Sequence, residues 1–273
     1  MKNVVDTDWL VAHFDEPDLI VLDASYSAVG GQRPAHEGVR IKGARKFEID
    51  YFSDQENVLP HMLAPGAEFE KKAQKLGING GSRLVIYDSL GIYSSPRAWW
   101  MFKVMGHDNV AVLDGGLPNW VLEGRSVEEV SEATYPQGDF KATLRPEMVK
   151  SMPEVRENIQ AKTFQLIDAR SKGRFDGTAP EPRPGLSSGH VENAINIPFQ
   201  DVLENGCFKP VDELKPLFEE VARDMPMTFS CGSGLTACIV MIAAELVAEN
   251  EKAVYDGSWT EWASAKSNPI LRN

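Results

Sequence analysis

The sequence contains few cysteines and comparatively few basic residues. Cys207, Cys231 and Cys238 are the three cysteines among 273 residues, and no two of them are closely spaced. An odd number at such spacing argues against a disulfide-stapled scaffold and favours a reducing compartment. Lys and Arg number 28 against 40 Asp and Glu, which gives a formal net charge of -12. That balance excludes a general affinity for nucleic acid or for an anionic membrane.

Long apolar runs are also missing. No stretch approaches the roughly 20 apolar residues of a membrane span. The first residues are already interrupted by Asp6 and Asp8, and they form neither a signal-peptide core nor an Arg-rich presequence. We therefore expect a globular protein in the cytoplasm, without membrane or nucleic-acid partners.

What the chain does contain is a weak internal repeat with a period of about 143 residues. The matching pairs are LIVLDAS (19–25) with FQLIDAR (164–170), LVIYD (84–88) with MTFSC (227–231), and LDGGLPNW (113–120) with YDGSWTEW (255–262). This period is the length of a domain rather than of a solenoid repeat. We predict a first domain over 1–124, a linker over 125–150 and a second domain over 151–273.

Each half alternates short apolar runs with amphipathic or apolar helical segments. That order is typical of an α/β fold with a mainly parallel sheet flanked by helices. The clearest predicted helix is LTACIVMIAAELVAEN (235–250), of about 15 residues.

Cys231 stands between a predicted strand and this helix, in the loop CGSGLT. Gly232 and Gly234 allow backbone angles that turn successive N–H groups inward. The helix N-terminus adds partial positive charge, so the position favours a nucleophilic thiolate. Cys238, inside the helix, is expected to be a core residue, and Cys207 an inert loop residue.

Competing interpretations of Cys231 fail on spacing. A structural zinc site needs about four Cys or His ligands in close pairs, and a Walker-type loop needs a Gly-Lys-Ser/Thr ending. A cysteine phosphatase would carry Arg six residues after the cysteine, where this chain has Ala237. We therefore expect no metal and no organic cofactor.

The matching position in the first half is Asp88, which cannot act as a sulfur nucleophile, so the first half is interpreted as a degenerate copy.

These features resemble the two-domain rhodanese-type sulfurtransferases, from about Trp9 to Trp262. The motifs that carry the resemblance are LPHML, SSPRAWWMFKVMGH, LDGGLPNW, GRFDGTAPEPRPG, GHVENAINIP and CGSGLTA. The resemblance implies two tandem rhodanese-like domains. In that family a C-G-[ST]-G loop is typical of 3-mercaptopyruvate sulfurtransferases, and a C-R-K-G loop of thiosulfate sulfurtransferases. A neutral loop suits a donor whose charge lies away from its sulfur, whereas the thiosulfate dianion benefits from adjacent cations.

The resemblance also implies roles for residues outside the cysteine loop. Arg174 and Arg183 match the family's substrate-binding arginines, and a guanidinium can grip a carboxylate with paired hydrogen bonds. Without the family they would be ordinary surface arginines. Asp50, His61 and Ser233 match a proposed proton relay, although spacing alone would make His61 a packed or exposed histidine. The remaining predicted substrate-binding residues are Gly232, Gly234, Leu235 and Thr236. One departure from the family's H-I-P-G-A segment is RIKGA, which places Arg40 and Lys42 there.

The implied reaction transfers sulfur from 3-mercaptopyruvate to Cys231 as a persulfide, releases pyruvate, and passes the sulfur to a thiol acceptor or cyanide. The acceptor would be a small thiol or a thioredoxin-like protein. Two alternatives stay open at this point. One is a thiosulfate:cyanide sulfurtransferase, and the other is a non-catalytic module that binds sulfur compounds or anions.

Overall fold

The computed structural model describes residues 1–26, 36–219, 221 and 225–273, and the chain divides into two compact units. Unit 1 comprises Met1–Glu56, Leu63–Arg145 and Asn205–Phe208. Unit 2 comprises Asn57–Met62, Pro146–Glu204 and Lys209–Asn273. A short segment from each half of the sequence thus belongs to the other unit. The predicted boundaries at 124 and 151 stay a prediction.

Unit 1 is built on a five-stranded sheet. Its elements are β1 (Val4–Val5), α1 (Thr7–His13), β2 (Leu19–Asp23), β3 (Val39–Ile41), β4 (Arg45–Lys46), α2 (Ile49–Phe52), α3 (Gly66–Lys75), β5 (Arg83–Tyr87), α4 (Ser95–Val104), β6 (Val110–Leu113), α5 (Gly116–Leu122) and β7 (Val127–Glu129). The sheet order is β1-β6-β5-β2-β4, and all neighbours are parallel. Strand β5 is central and apolar, which is why its inner residues are fully buried.

Residues 127–131 belong to the predicted linker, yet they are joined to unit 1 by hydrogen bonds. Strand β7 pairs antiparallel with β3. Arg40 donates from Nε to Glu128 Oε1 at 2.8 Å and from Nη1 to the carbonyl of Ser131 at 3.0 Å. Arg40, which departs from the family pattern, therefore ties the start of the linker to β3, in the two-stranded sheet that β3 and β7 form.

Unit 2 repeats the same architecture. Its elements are β8 (Val149–Lys150), α6 (Met152–Ala161), β9 (Gln165–Asp168), α7 (Lys172–Asp176), β10 (Ile195–Asn196), β11 (Leu203–Glu204), α8 (Val211–Glu219), β13 (Met227–Ser230), α9 (Ala237–Glu245), β14 (Lys252–Tyr255) and α10 (Ser258–Ser264). Strand β12 (Cys207–Phe208) lies between β11 and α8 in the sequence but belongs to unit 1. Two 3-10 turns cover Pro146–Met148 and Phe199–Val202. The sheet order β10-β9-β13-β14-β8 is parallel, and it matches unit 1 strand for strand. The predicted α/β fold with two tandem domains is confirmed.

Helix α9 is shorter than predicted. It covers nine residues rather than about 15. The Leu246 N–H is shared between the carbonyls of Ile242 and Ala243, and the Val247 N–H donates to the carbonyl of Ala244, three residues back, so the helix ends in a tighter turn. Residues 237–244 are all buried, as expected for a helix that is apolar on every side. Cys238 lies among them and its thiol donates to the Gly234 carbonyl at 3.3 Å, so its predicted core role is confirmed. Within the described ranges, no helix is both long and apolar enough to cross a membrane.

At the end of β5, the Asp88 carboxylate fills the loop that follows the strand. Its Oδ2 accepts hydrogen bonds from the backbone N–H groups of Tyr93, Ser94 and Ser95, each at 2.9 Å, and from the Ser95 hydroxyl at 2.7 Å. Its Oδ1 accepts from Leu90 N–H at 3.0 Å. Burial raises the pKa of Asp88, and these hydrogen bonds oppose that rise. The loop therefore holds a carboxylate of its own chain in a nest of N–H groups.

Replacing Asp88 by alanine is expected to lower the free energy of unfolding of unit 1 by about 3 kcal/mol, because several buried donors lose their acceptor at once. Urea unfolding followed by circular dichroism measures the change. Asp54→Ala is a matched control, since Asp54 accepts one N–H hydrogen bond at an exposed site. Equal stability of the two variants would contradict this role for Asp88.

Candidate active site

Cys231 directly follows β13, the central strand of unit 2, and its side chain carries a free thiol. The residue is 2% exposed. Its N–H donates to Ser258 Oγ at 3.2 Å, and its carbonyl accepts from Trp259 N–H at 3.0 Å. The first residues of α10 therefore fix the backbone of Cys231 on both sides.

Gly232 gives two arginines access to the backbone beside Cys231. A Cβ atom built on Gly232 would lie 3.1 Å from Arg174 Nη2 and 3.6 Å from Arg183 Nη1. Gly234, in contrast, has a φ of +77°, a left-handed angle that glycine adopts without strain. Of the two loop glycines, Gly234 is thus needed for its backbone angle and Gly232 for the space it leaves. The structure brings both predicted substrate-binding arginines to the cysteine loop.

Ser233 connects Arg183 with His61. Arg183 Nη2 donates to Ser233 Oγ at 3.1 Å, and His61 Nδ1 lies 3.0 Å from the same oxygen. Because a guanidinium can only donate, Ser233 Oγ is an acceptor toward Arg183 and keeps its own hydroxyl hydrogen to give. His61 Nδ1 donates to or accepts from the same oxygen according to its tautomer. His61 is buried and has a φ of 64°, which is uncommon for a residue other than glycine. Strain of this kind is often found where function fixes a side chain.

The other predicted site residues have plainer surroundings. Leu235 is buried, and Thr236 occupies the N-cap position of α9 without a capping hydrogen bond from its side chain. Asp50 is an exposed residue of α2 in unit 1. The proposed contacts of Leu235 and Thr236 with substrate, and the part of Asp50 in a relay, stay predictions.

A cluster of buried charges supports Arg174, and the sequence did not reveal it. Arg174 donates from Nε and Nη2 to Glu181 Oε2 at 3.1 and 2.6 Å. Glu181 Oε1 accepts from Arg170 Nη1 at 2.7 Å, and Arg170 also pairs with Asp168 at 2.6 Å. Although burial lowers the pKa of Arg170, the attraction of Asp168 and Glu181 outweighs it and raises that pKa overall. Arg170 also stacks over the Trp259 ring, with 4.0 Å to the ring centroid.

Ser258 is a second residue that sequence reasoning missed. It is fully buried, has a φ of 50°, and donates its hydroxyl hydrogen to the Tyr255 carbonyl at 2.8 Å while accepting from Cys231 N–H. Its partner in the internal repeat is Gly116, which has the same φ of 50°. The sequence signal for Ser258 was its alignment, in the internal repeat, with a glycine of unit 1, because a serine at a position suited to glycine indicates a special role.

The other cysteines do not share this environment. Cys207 is half-buried, and burial together with the nearby Asp114 raises the pKa of its thiol to about 11, so the thiol stays protonated near neutral pH. In the part of the chain that the structure describes, no three His, Cys, Asp or Glu side chains form a group that could hold a metal ion.

Comparison with known proteins shows what this chain is similar to. A model of the rhodanese-like domain matches residues 6–123 and 151–265. The chain is 39% identical to human 3-mercaptopyruvate sulfurtransferase, over 96% of this chain and 92% of that protein. It is 40% identical to thiosulfate/3-mercaptopyruvate sulfurtransferase 1, mitochondrial, of Arabidopsis thaliana, over 98% of this chain and 77% of that protein.

A solved structure extends the likeness to three dimensions. The crystal structure of SseA from Escherichia coli, described as a 3-mercaptopyruvate sulfotransferase with the rhodanese fold, has a TM-score of 0.82 at 35% identity. The match covers 95% of this chain and 99% of that one. Since both halves match the domain model and the identity extends over nearly the whole chain, this protein belongs to the rhodanese-like family.

Proposed function

We propose that the protein is a 3-mercaptopyruvate sulfurtransferase that carries sulfur as a persulfide on Cys231. The observation that supports it best is the convergence of two guanidinium groups on Gly232, next to a cysteine that ends a central strand. The carboxylate and the ketone of 3-mercaptopyruvate both need hydrogen-bond donors, which the two guanidinium groups provide, and the cysteine loop itself adds no charge. The human and Arabidopsis relatives both carry 3-mercaptopyruvate sulfurtransferase in their names, which supports the same assignment.

In the first half-reaction, the Cys231 thiolate attacks the sulfur of 3-mercaptopyruvate. A new sulfur–sulfur bond forms, the carbon–sulfur bond breaks, and its electron pair stays on carbon as the enolate of pyruvate. Arg174 and Arg183 hold the carboxylate and ketone oxygens while that charge develops. The sulfur keeps its proton or loses it to solvent, and Cys231 becomes a persulfide.

The enolate then needs a proton on carbon. Ser233 is suited to deliver it, because its hydroxyl lies between the Arg183 guanidinium and His61 Nδ1. His61 would replace the proton that Ser233 gives up, and Asp50 is assigned the role of orienting His61, as the family resemblance implies.

In the second half-reaction, a thiol acceptor attacks the outer sulfur and restores the Cys231 thiolate. A small thiol, a thioredoxin-like protein or cyanide would serve. We assign the reaction to the cytoplasm, where the three free thiols would stay reduced.

A second candidate donor is thiosulfate, because the Arabidopsis relative is named for both donors. Cys231 would then attack the outer sulfur of thiosulfate, and sulfite would leave with the electron pair. Steady-state comparison of the two donors at equal ionic strength decides between them. We expect a kcat/KM ratio that favours 3-mercaptopyruvate.

Cys231→Ser is expected to abolish pyruvate release from 3-mercaptopyruvate, because a hydroxyl cannot form the persulfide. Mass spectrometry of the wild type after incubation with donor should show a gain of about 32 Da on the Cys231 peptide, as a persulfide requires. Cys207→Ser is the control and should keep full activity. Turnover by the Cys231→Ser variant, or no added mass on the wild type, would reject the proposal.

Ser233→Ala tests the proton relay. Its kcat with 3-mercaptopyruvate should fall about 100-fold, the usual size of a lost general acid. Turnover of thiosulfate should fall much less, because sulfite leaves without a proton being placed on carbon. Asp50→Asn should show the same donor dependence with a smaller loss, and the exposed Ser187→Ala is the control. Equal losses with both donors would argue against the relay.

Ser258→Gly tests whether Ser258 positions Cys231. Stability should change by no more than about 1 kcal/mol, because relief of the left-handed backbone offsets the lost hydrogen bonds. The kcat of persulfide formation should nevertheless fall about tenfold, with KM unchanged, because the Cys231 backbone loses its anchor. Ser258→Ala keeps the backbone strain, so it should be the less stable of the two variants. Wild-type kcat in Ser258→Gly would remove Ser258 from the mechanism.

A further inference from the structure

Arg174 does not face the cysteine loop as an isolated cation. Two of its nitrogens donate to one oxygen of Glu181, and the other oxygen of Glu181 accepts from Arg170. The Glu181 side chain is 2% exposed, so its negative charge is poorly screened by water.

The charges of this group nearly cancel. Arg170, Arg174 and Arg183 contribute three positive charges, and Asp168 and Glu181 contribute two negative ones, which leaves one net positive charge. Arg170 is fully buried, and its Nη2 donates to the carboxylate of Asp168 and the carbonyl of Gly189, both at 2.6 Å. Its charge is thus already matched within the protein. The Cys231 thiolate that attacks the donor cancels this charge, so a donor with a single carboxylate adds one unmatched negative charge and a dianion adds two.

The negative charge of Glu181 lies close enough to the cysteine loop to act on a bound donor. Arg174 Nη2, which donates to Glu181, is also the atom that lies 3.1 Å from the Cβ position of Gly232. The carboxylate is therefore one hydrogen bond away from the residue that follows Cys231. At that range and in a buried setting, an added negative charge on the donor is repelled.

We propose that Glu181 is a specificity-determining residue, whose buried carboxylate limits the positive charge beside Cys231 so that monoanionic sulfur donors are preferred over dianionic ones. This proposal rests on the sulfurtransferase function proposed above. It assigns Glu181 two effects, since the same carboxylate also holds the Arg174 guanidinium in place.

The test is Glu181→Gln, which removes the charge and keeps one acceptor oxygen, so that one of the two arginines retains its hydrogen bonds and the other loses its acceptor. We expect the ratio of kcat/KM for thiosulfate to kcat/KM for 3-mercaptopyruvate to rise by about tenfold, the effect of roughly 1.4 kcal/mol of relieved repulsion. The ratio is measured on one preparation, so any fraction of misfolded protein cancels.

Two further variants separate charge from structure. Glu181→Asp keeps the charge, so its donor ratio should stay near that of the wild type even if both activities fall. Asp176→Asn removes a carboxylate of α7 that pairs with Lys172 at 3.1 Å rather than with an arginine. Its donor ratio should not change.

If Glu181→Gln does not fold, the Cys231→Ser variant, which cannot form a persulfide, still decides the question. Pyruvate, a monoanion, should bind to that variant more tightly than thiosulfate, a dianion, at equal ionic strength. Equal or tighter binding of thiosulfate would overturn the proposal, as would an unchanged donor ratio in a folded Glu181→Gln variant. Failure of the wild type to use either donor would instead reject the proposed function itself.

Discussion

In each unit, the residue directly after the central strand is held at its carbonyl by a helix N–H group, from Leu117 in unit 1 and from Trp259 in unit 2, but the side chain at this position differs. Unit 1 places the Asp88 carboxylate among four N–H groups and one hydroxyl. Unit 2 has Cys231 at the same position, with its own N–H held by the Ser258 hydroxyl. A carboxylate is a permanent anion, whereas sulfur on Cys231 can change between thiol, thiolate and persulfide. The same strand end therefore carries a hydrogen-bonded carboxylate in one unit and a thiol in the other.

The buried arginine Arg170 and its neighbour Arg174 require carboxylate partners inside the protein, because an unpaired buried charge is costly. Asp168 and Glu181 match Arg170 and Arg174, and the ring of Trp259 covers Arg170. The Trp259 N–H donates to the Cys231 carbonyl. The start of α10 consequently contacts both the charge cluster and the nucleophile. A change at this point should alter substrate binding and thiol position together.

The apolar runs and the internal repeat were enough to predict both sheets, the central strand before Cys231 and the buried position of Cys238. Arg174, Arg183, His61 and Ser233 could be placed through family resemblance, and the structure brings them together around Gly232. Glu181 and Ser258 could not be placed, because their partners are set by tertiary contacts and, for Ser258, by a backbone angle. The predicted length of α9 was wrong for a similar reason. Its apolar pattern continues past Glu245, but the backbone turns there.

The neutral loop CGSG gains a fuller explanation from these contacts. On sequence alone, the absence of cations in the loop pointed to a donor whose charge lies away from its sulfur. The structure adds that one of the two arginines beside the loop, Arg174, is paired with the buried carboxylate of Glu181. Basic residues in the loop would add charge to a background that the cluster keeps low. In the proposed mechanism, donor preference depends on the net charge around the thiol, to which the loop and the buried cluster contribute separately.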